Sequence, residues 1–336
     1  MLRGENMSKK INIDLIRFLF SFLILAIHIS PFEDISPLFD FFFTRVLGRL
    51  AVPFFLMITA YFLLDKSLEN VSVLKRYTKR IIKIYLFCIL LYFPISIYKG
   101  DFKEIHLLSI LKDIFVDGTM YHLWYFPALI FGLWMVYFLI KLFGSNKAFF
   151  ISILLYIIGL FGDSYYGVAL LNPFFSFLYD ILFTIFDYTR NGLFFVPLFL
   201  VLGYMVKCGK NKPISSFCYS CIFFLFMTIE AFLLHHFLIQ RHDSMYIFLP
   251  FVLYFLFSFL IQNTNFSNKK FRKMATIIYI FHPFFIVFIR FVSKFLHLEG
   301  FLVQNHFIFY LVVSFVTFLF AYFLESIKLG KGVDEG

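Results

Sequence analysis

Residues 11–30 read INIDLIRFLFSFLILAIHIS. The run is long enough to cross a bilayer, which takes about 20 apolar residues, yet it holds Asp14, Arg17 and His28. Arg17 and His28 are eleven residues apart. At about 100° per residue, eleven steps return the chain to within roughly 20° of the same helix face. Asp14, Arg17, Ser21 and His28 therefore form one stripe, with Arg17 and His28 separated by roughly 16 Å of helix axis. A charge at the centre of a span costs about 2.5 kcal/mol or more. The stripe is thus expected to face a protein interior or a wet cavity, and the rest of the chain to supply the walls.

The composition agrees with that reading. Of 336 residues, 61% are hydrophobic and only 15% are charged. A soluble chain of this length cannot cover so much apolar surface. The expected class is all-α: a polytopic helical membrane protein with about ten transmembrane helices. The net charge of +10 is read through the positive-inside rule, not as a nucleic-acid footprint. The 56 Phe suggest an A/T-rich genome, hence the plasma membrane of a low-GC bacterium. Cys218 and Cys221 form a CxxC at the start of an apolar run and are read as small packing residues. The first run lacks a small-residue cleavage site and is expected to stay in the membrane. No His pair has ligand spacing beside a carboxylate, so no metal is expected. Phosphate-binding Gly loops and a Gly-x-Ser-x-Gly elbow are absent.

Candidate spans fall near 11–30, 47–64, 81–98, 121–142, 148–162, 191–207, 216–238, 245–262, 274–293 and 307–327. Cations collect on alternate connections: Arg3, Lys9 and Lys10; Lys66 to Lys83; Lys141 and Lys147; Lys207 to Lys212; Lys269 to Lys273; Lys328 and Lys331. Both termini are therefore expected in the cytoplasm. Residues 1–10 and 328–336 would be tails flanking one membrane domain, 11–327. The basic loop 64–83 sets topology by meeting anionic lipid, or attracts an anionic cytosolic substrate. A short helix is expected around 105–115, and 162–190 is read as the longest outer loop.

Other polar groups sit at membrane depth. Arg49, four residues before Pro53, is either an interfacial cation or an oxyanion clamp near His28. Trp124 and Tyr125 fit an aromatic belt or a substrate wall. Arg190 and Asn191 are interfacial or cavity-lining, and Asp163 lies in the outer Gly162-Asp-Ser164. Glu230 is deep in an apolar run, where a carboxyl must be paired, protonated or functional. His282 precedes Pro283 in mid-span; proline frees a carbonyl that the histidine can fill, or the ring has a catalytic part.

Arg17, ten residues, His28 resembles the Arg-x10-His signature of acyltransferase family 3 membrane proteins, and Asp14 fits the acidic position before that Arg. Gly48-Arg-Leu-Ala-Val-Pro-Phe-Phe-Leu-Met-Ile-Thr-Ala-Tyr-Phe resembles the family's second-span motif, with Thr59-Ala60-Tyr61 in place of the usual Ser-Gly-Tyr. Ile278-Tyr-Ile-Phe-His-Pro283 resembles a third family element. Tyr121–Ile130, Gly162–Ser164, Thr189–Gly192 and His242–Tyr246 are similar to the membrane half of VanT-type serine racemases of vancomycin-resistance clusters. In those proteins a racemase domain dependent on pyridoxal phosphate follows the last span. The sequence ends at Gly336, so no racemase domain is expected here.

The resemblance implies acyl transfer from a cytoplasmic thioester, with acyl-CoA as donor substrate, no bound cofactor, and a hydroxyl acceptor in the envelope or a small molecule. His28 would be the base, Arg17 with Asp14 would hold the donor, and Arg49 would steady the oxyanion. The alternative is a module that binds or carries L-serine for a separate racemase. There Arg49 or Arg190 would clamp the carboxylate, and Glu230 or Asp163 the ammonium. A scaffold for a separate enzyme is the third reading.

Overall fold

The computed structural model describes residues 11–99, 107–209, 213–265 and 268–330. The tail 1–10, residues 331–336 and Lys210 and Lys212 lie outside the described residues. Among the described residues, regular structure is helical apart from a parallel pairing of Ile11–Asn12 with Thr264–Asn265. The principal helices are α1 (Ile13–Ile29), α2 (Ala51–Glu69), α3 (Val71–Lys99), α4 (Tyr125–Phe161) and α5 (Pro173–Ile185). They continue as α6 (Val196–Cys208), α7 (Pro213–His236), α8 (Leu249–Gln262), α9 (Lys269–Phe295) and α10 (His306–Gly330).

Six helical runs among the described residues are long and apolar enough to cross a membrane: Pro37–Glu69, Val71–Tyr98, Tyr125–Phe161, Ser215–His236, Lys269–Phe295 and His306–Ile327. Shorter apolar helices are Pro173–Ile185, Val196–Cys208 and Leu249–Gln262. The chain is therefore a helical membrane protein. Its exposed Leu90, Phe150, Phe177, Phe291 and Phe323 have their natural neighbour in lipid.

Expected segments differ from the structure at several points: 11–30 forms the 17-residue helix Ile13–Ile29, which is not among the six runs above, and the expected basic loop 64–83 is helical except at Asn70. The separate candidates 121–142 and 148–162 are two helical stretches of α4 that meet at Gly144, whose φ of 79° and ψ of 164° are not helical, a conformation glycine adopts without steric cost. The expected loop 162–190 contains α5, started by the Asn172 side chain accepting from Phe174 N–H at 2.9 Å, with Pro173 in the first turn. The expected short helix near 105–115 is Leu107–Lys112, continued by a wider turn over Asp113–Asp117.

The chain divides into two compact units. The first comprises Met1–Ala51, Asn211–Cys218 and Phe255–Gly336. Here α1 packs on α9 and α10. Leu25 and Ile29 meet Phe285, Ile286, Ile289, Phe309 and Val313, while Phe18 meets Met274, Ala275, Ile278 and Ala321. Contacts advance together along α1 and α9 and in reverse along α10, so α9 runs parallel to α1 and α10 antiparallel to both. The start of α1 and the end of α10 thus share one end of this layer. At that end Lys273 pairs with Glu325 at 3.3 Å and Lys270 lies over the Tyr322 ring.

The second unit comprises Val52–Lys210 and Tyr219–Tyr254. Its centre is α4 packed on α6, with α3 alongside. Trp134 donates from Nε1 to Thr78 Oγ1 at 3.1 Å, joining α4 to α3. At Gly203 the backbones of α6 and α2 touch: a methyl group there would collide with the carbonyl, Cα and carbonyl carbon of Met57.

Candidate functional site

Helix α1 starts where its sequence tells it to. Asn12 accepts from Asp14 N–H at 2.9 Å and Leu15 N–H at 3.3 Å, a cap worth about 1 kcal/mol. Asp14 in the first turn complements the helix dipole. Asp14 is 2% exposed, and its carboxylate pairs with Arg17 Nη1 at 3.3 Å. Ser21 is buried, donating to the Phe18 carbonyl at 2.6 Å, whereas Leu19, off the stripe, is exposed. The stripe turns inward, as its charge demands.

The far end of α1 is closed by backbone and by α10. Ser30 takes the left-handed conformation, φ 56°, and donates its N–H to the Ala26 carbonyl at 2.9 Å. The Ser30 carbonyl lies 3.1 Å from His306 Nδ1, and His306 N–H donates to Asp34 Oδ2 at 2.8 Å. Nothing in the spacing of His306 pointed to this contact, because its partners are more than 270 residues away in the chain.

His28 lies in the last turn of α1, half-buried, and its ring stacks on His282 of α9 with centroids 5.4 Å apart and planes 20° apart. His282 is fully buried. Its Nδ1 is 3.0 Å from the Tyr279 carbonyl and 3.1 Å from the Ile278 carbonyl. Tyr279 O is the carbonyl that Pro283, lacking an N–H, leaves without a helical donor. Arg49 sits in the tight turn Gly48–Leu50, which packs on α1 with Gly48 against Ile27. It therefore stands at the His28 end of the helix. The first unit thus brings Asp14, Arg17, His28, Arg49 and His282 onto one helix and its immediate neighbours.

The other candidates gather in the second unit. Asp163 Oδ1 accepts from Ser244 N–H at 2.7 Å, Met245 N–H at 3.0 Å and Ser164 Oγ at 3.0 Å. Glu230 Oε1 accepts from Ile247 N–H at 2.7 Å and Tyr165 OH at 2.9 Å, and Oε2 from Phe248 N–H at 3.2 Å. Both carboxylates hold the segment leading into α8. Burial, then the Glu230 charge, raises the proton affinity of the Tyr165 phenol, so it remains a donor. Asn191 caps the turn before α6, accepting from Leu193 and Phe194 N–H and donating to the Tyr188 carbonyl. Arg190 lies between the rings of Trp124, at 5.3 Å, and Tyr188, at 4.7 Å, and Tyr188 also packs on His242 at 4.6 Å. Tyr125 opens α4 with its ring edge-on to Phe126. Tyr165 and Tyr188 did not stand out in the sequence, because aromatic residues are common along this chain.

The fold is that of a helical membrane protein whose first helix carries a polar stripe, with Asp14 and Ser21 buried and Arg17 and His28 partly so. Residues 10–326 match the family model described as Acyltransferase domain, and the chain belongs to that family. It is 38% identical over 326 residues to an amino-acid racemase of Enterococcus faecalis, covering 94% of this chain and 46% of that protein. It is 35% identical over 320 residues to a serine/alanine racemase of Enterococcus gallinarum, covering 92% and 45%. The chain thus spans about half the length of the curated relatives it matches. No solved structure matches it.

Proposed function

We propose that this protein is a plasma-membrane acyltransferase of a low-GC bacterium, moving an acyl group from a cytoplasmic thioester, acyl-CoA, to an acceptor hydroxyl. The single observation that supports this best is His28: it is half-buried at the end of the polar stripe, in a chain whose family is named for acyl transfer. A hydroxyl is a weak nucleophile near neutral pH and needs a base within hydrogen-bond reach. His28 takes the hydroxyl proton as the oxygen attacks the thioester carbonyl. Charge on the carbonyl oxygen is met by Arg49. The C–S bond then breaks, and the leaving thiolate recovers the proton from His28. The products are an ester and a free thiol, and the base is restored.

Arg17 lies roughly 16 Å along the axis from His28, too far to touch the same reacting atom. With Asp14 fixing its orientation, it holds a polar part of the donor. The topology that fits this chemistry has about ten spans with both termini in the cytoplasm, so that donor and acceptor approach from opposite sides.

The test uses purified protein in liposomes. Acyl-CoA should release free thiol only when a hydroxyl acceptor is added. His28→Ala should reduce the release by at least about 100-fold. Arg17→Lys should fail as well, because an ammonium does not reproduce a guanidinium fork beside Asp14. Full turnover by His28→Ala would end the base assignment.

The racemase names of the relatives support a second reading, a module that binds L-serine for a separate racemase. Arg190, flanked by Trp124 and Tyr188, would be its carboxylate clamp. Glu230 and Asp163 are already engaged by backbone amides, which weighs against either as the ammonium site. Movement of labelled L-serine into liposomes without any thioester turnover would favour this reading.

A further inference from the structure

We propose that His282 is a positioning residue for His28, and that Pro283 is what places it. The inference rests on the acyl-transfer reading above and assigns His282 a role without contact to substrate. Proline at 283 has no N–H, so the Tyr279 carbonyl, four residues back in α9, lacks its helical donor. His282 Nδ1 stands 3.0 Å from that carbonyl and 3.1 Å from the Ile278 carbonyl. A carbonyl oxygen only accepts, so Nδ1 carries a hydrogen and the tautomer is defined. The ring plane of His282 is thereby fixed by its own helix.

His28 arrives from α1 and lies nearly parallel on that ring, 20° between planes and 5.4 Å between centroids. Both nitrogens of His28 lie in its ring plane. A fixed, near-parallel neighbour restricts rotation about the Cβ–Cγ bond, so the His282 plane sets the direction in which those nitrogens point. Around it, Leu25 and Ile29 of α1 pack on Phe285, Ile286 and Ile289 of α9, which holds the two helices in register. His282 keeps its hydrogen on the backbone carbonyl, and the proton that moves in the reaction is carried by His28. Two imidazolium rings at this separation would repel strongly, so the pair works with one mobile proton.

The arrangement gives a way to separate positioning from simple structural support. His282→Ala alone also removes the His282 Nδ1 contact to the Tyr279 carbonyl, and a loss of activity there would mix folding with function. The double variant His282→Ala/Pro283→Ala returns a backbone N–H to position 283, which supplies the carbonyl, while the ring stack remains absent. The expected result is thermal stability in detergent close to wild type, KM for acyl-CoA little changed, and kcat reduced by at least roughly tenfold. His282→Phe/Pro283→Ala restores a flat ring without the nitrogen and should recover part of the lost kcat. A His282→Ala/Pro283→Ala protein with kcat within about twofold of wild type overturns the proposal. So does a His282→Phe/Pro283→Ala variant that is folded yet no better than the alanine double variant.

A second measurement is independent of catalysis. In protein labelled with 15N-histidine, wild-type His282 should show the tautomer protonated at Nδ1, and His28 a single sharp ring signal. In His282→Ala/Pro283→Ala the His28 signal should broaden or split as the ring samples more orientations. Unchanged His28 signals overturn the positioning role even if the protein turns over no thioester. Broadened His28 signals without thioester turnover would support the ring pair while ending the acyl-transfer reading.

Discussion

Asp117 shows how one residue's surroundings set its behaviour. Its side-chain oxygens accept from Asp187 N–H at 3.2 Å, and its Oδ2 lies 3.5 Å from Lys112 Nζ, which also pairs with Asp187. Burial, reinforced by the Asp187 charge, pushes the Asp117 carboxyl up to about 6, against the pull of the Asp187 amide and Lys112. The folded protein therefore holds a proton that the unfolded chain has released between about pH 4 and 6. Since the folded state binds more protons there, this group's contribution to stability falls as pH rises through that window and is flat above it. Asp117→Asn should remove that slope from a plot of melting temperature against pH. An unchanged slope would show that the Lys112–Asp117–Asp187 cluster does not couple to folding. At the same scale, spacing alone placed Asp14, Arg17 and His28 on one inward stripe. It left Glu230 and Asp163 open between substrate binding and support, because the amides they accept from belong to residues 244–248, far along the chain.

At the scale of elements, α6 lies directly on the Met57 backbone of α2 at Gly203. A methyl group there meets main chain, not the yielding end of a side chain, so the helices must separate. Gly203→Ala should destabilise the protein by about 1–3 kcal/mol, the usual cost of overpacking, seen as a lower melting temperature in detergent. Wild-type stability would mean that α6 shifts at no cost. The helix α5 was legible in principle: Asn172 followed by Pro173 is an N-cap and first-turn pair. Hydropathy does not mark it as a span, because its 13 residues are too few to cross a bilayer. The break at Gly144 was legible, since separate segments were expected on either side of it and the structure has a non-helical residue between two helical stretches there.

For the whole molecule, the parallel course of α1 and α9 and the antiparallel course of α10 put the first and last described helical ends on one side of the first unit. Lys270, Lys273 and Arg272 lie at that same end, where the positive-inside rule predicts cytoplasm. A cytoplasm-active reporter fused after Gly336 should be active in cells, and an export-dependent reporter silent. Activity of the exported reporter instead would reverse the orientation of α10 and, with it, the side from which the thioester enters.

Hydrophobic run length, charge spacing and the Arg17–His28 interval are local properties. They were enough to define a helical membrane protein, the inward face of α1 and its family resemblance. The tertiary structure decided what those residues meet. His28 lies on His282, His306 closes the end of α1 at Ser30, and Asp163 and Glu230 are tied to the chain before α8. The physical reason is separation. Helix periodicity shows which face a residue occupies, since that depends on neighbours three or four positions away. Which ring or carbonyl lies opposite depends on helices that are distant in the chain and brought together only by packing.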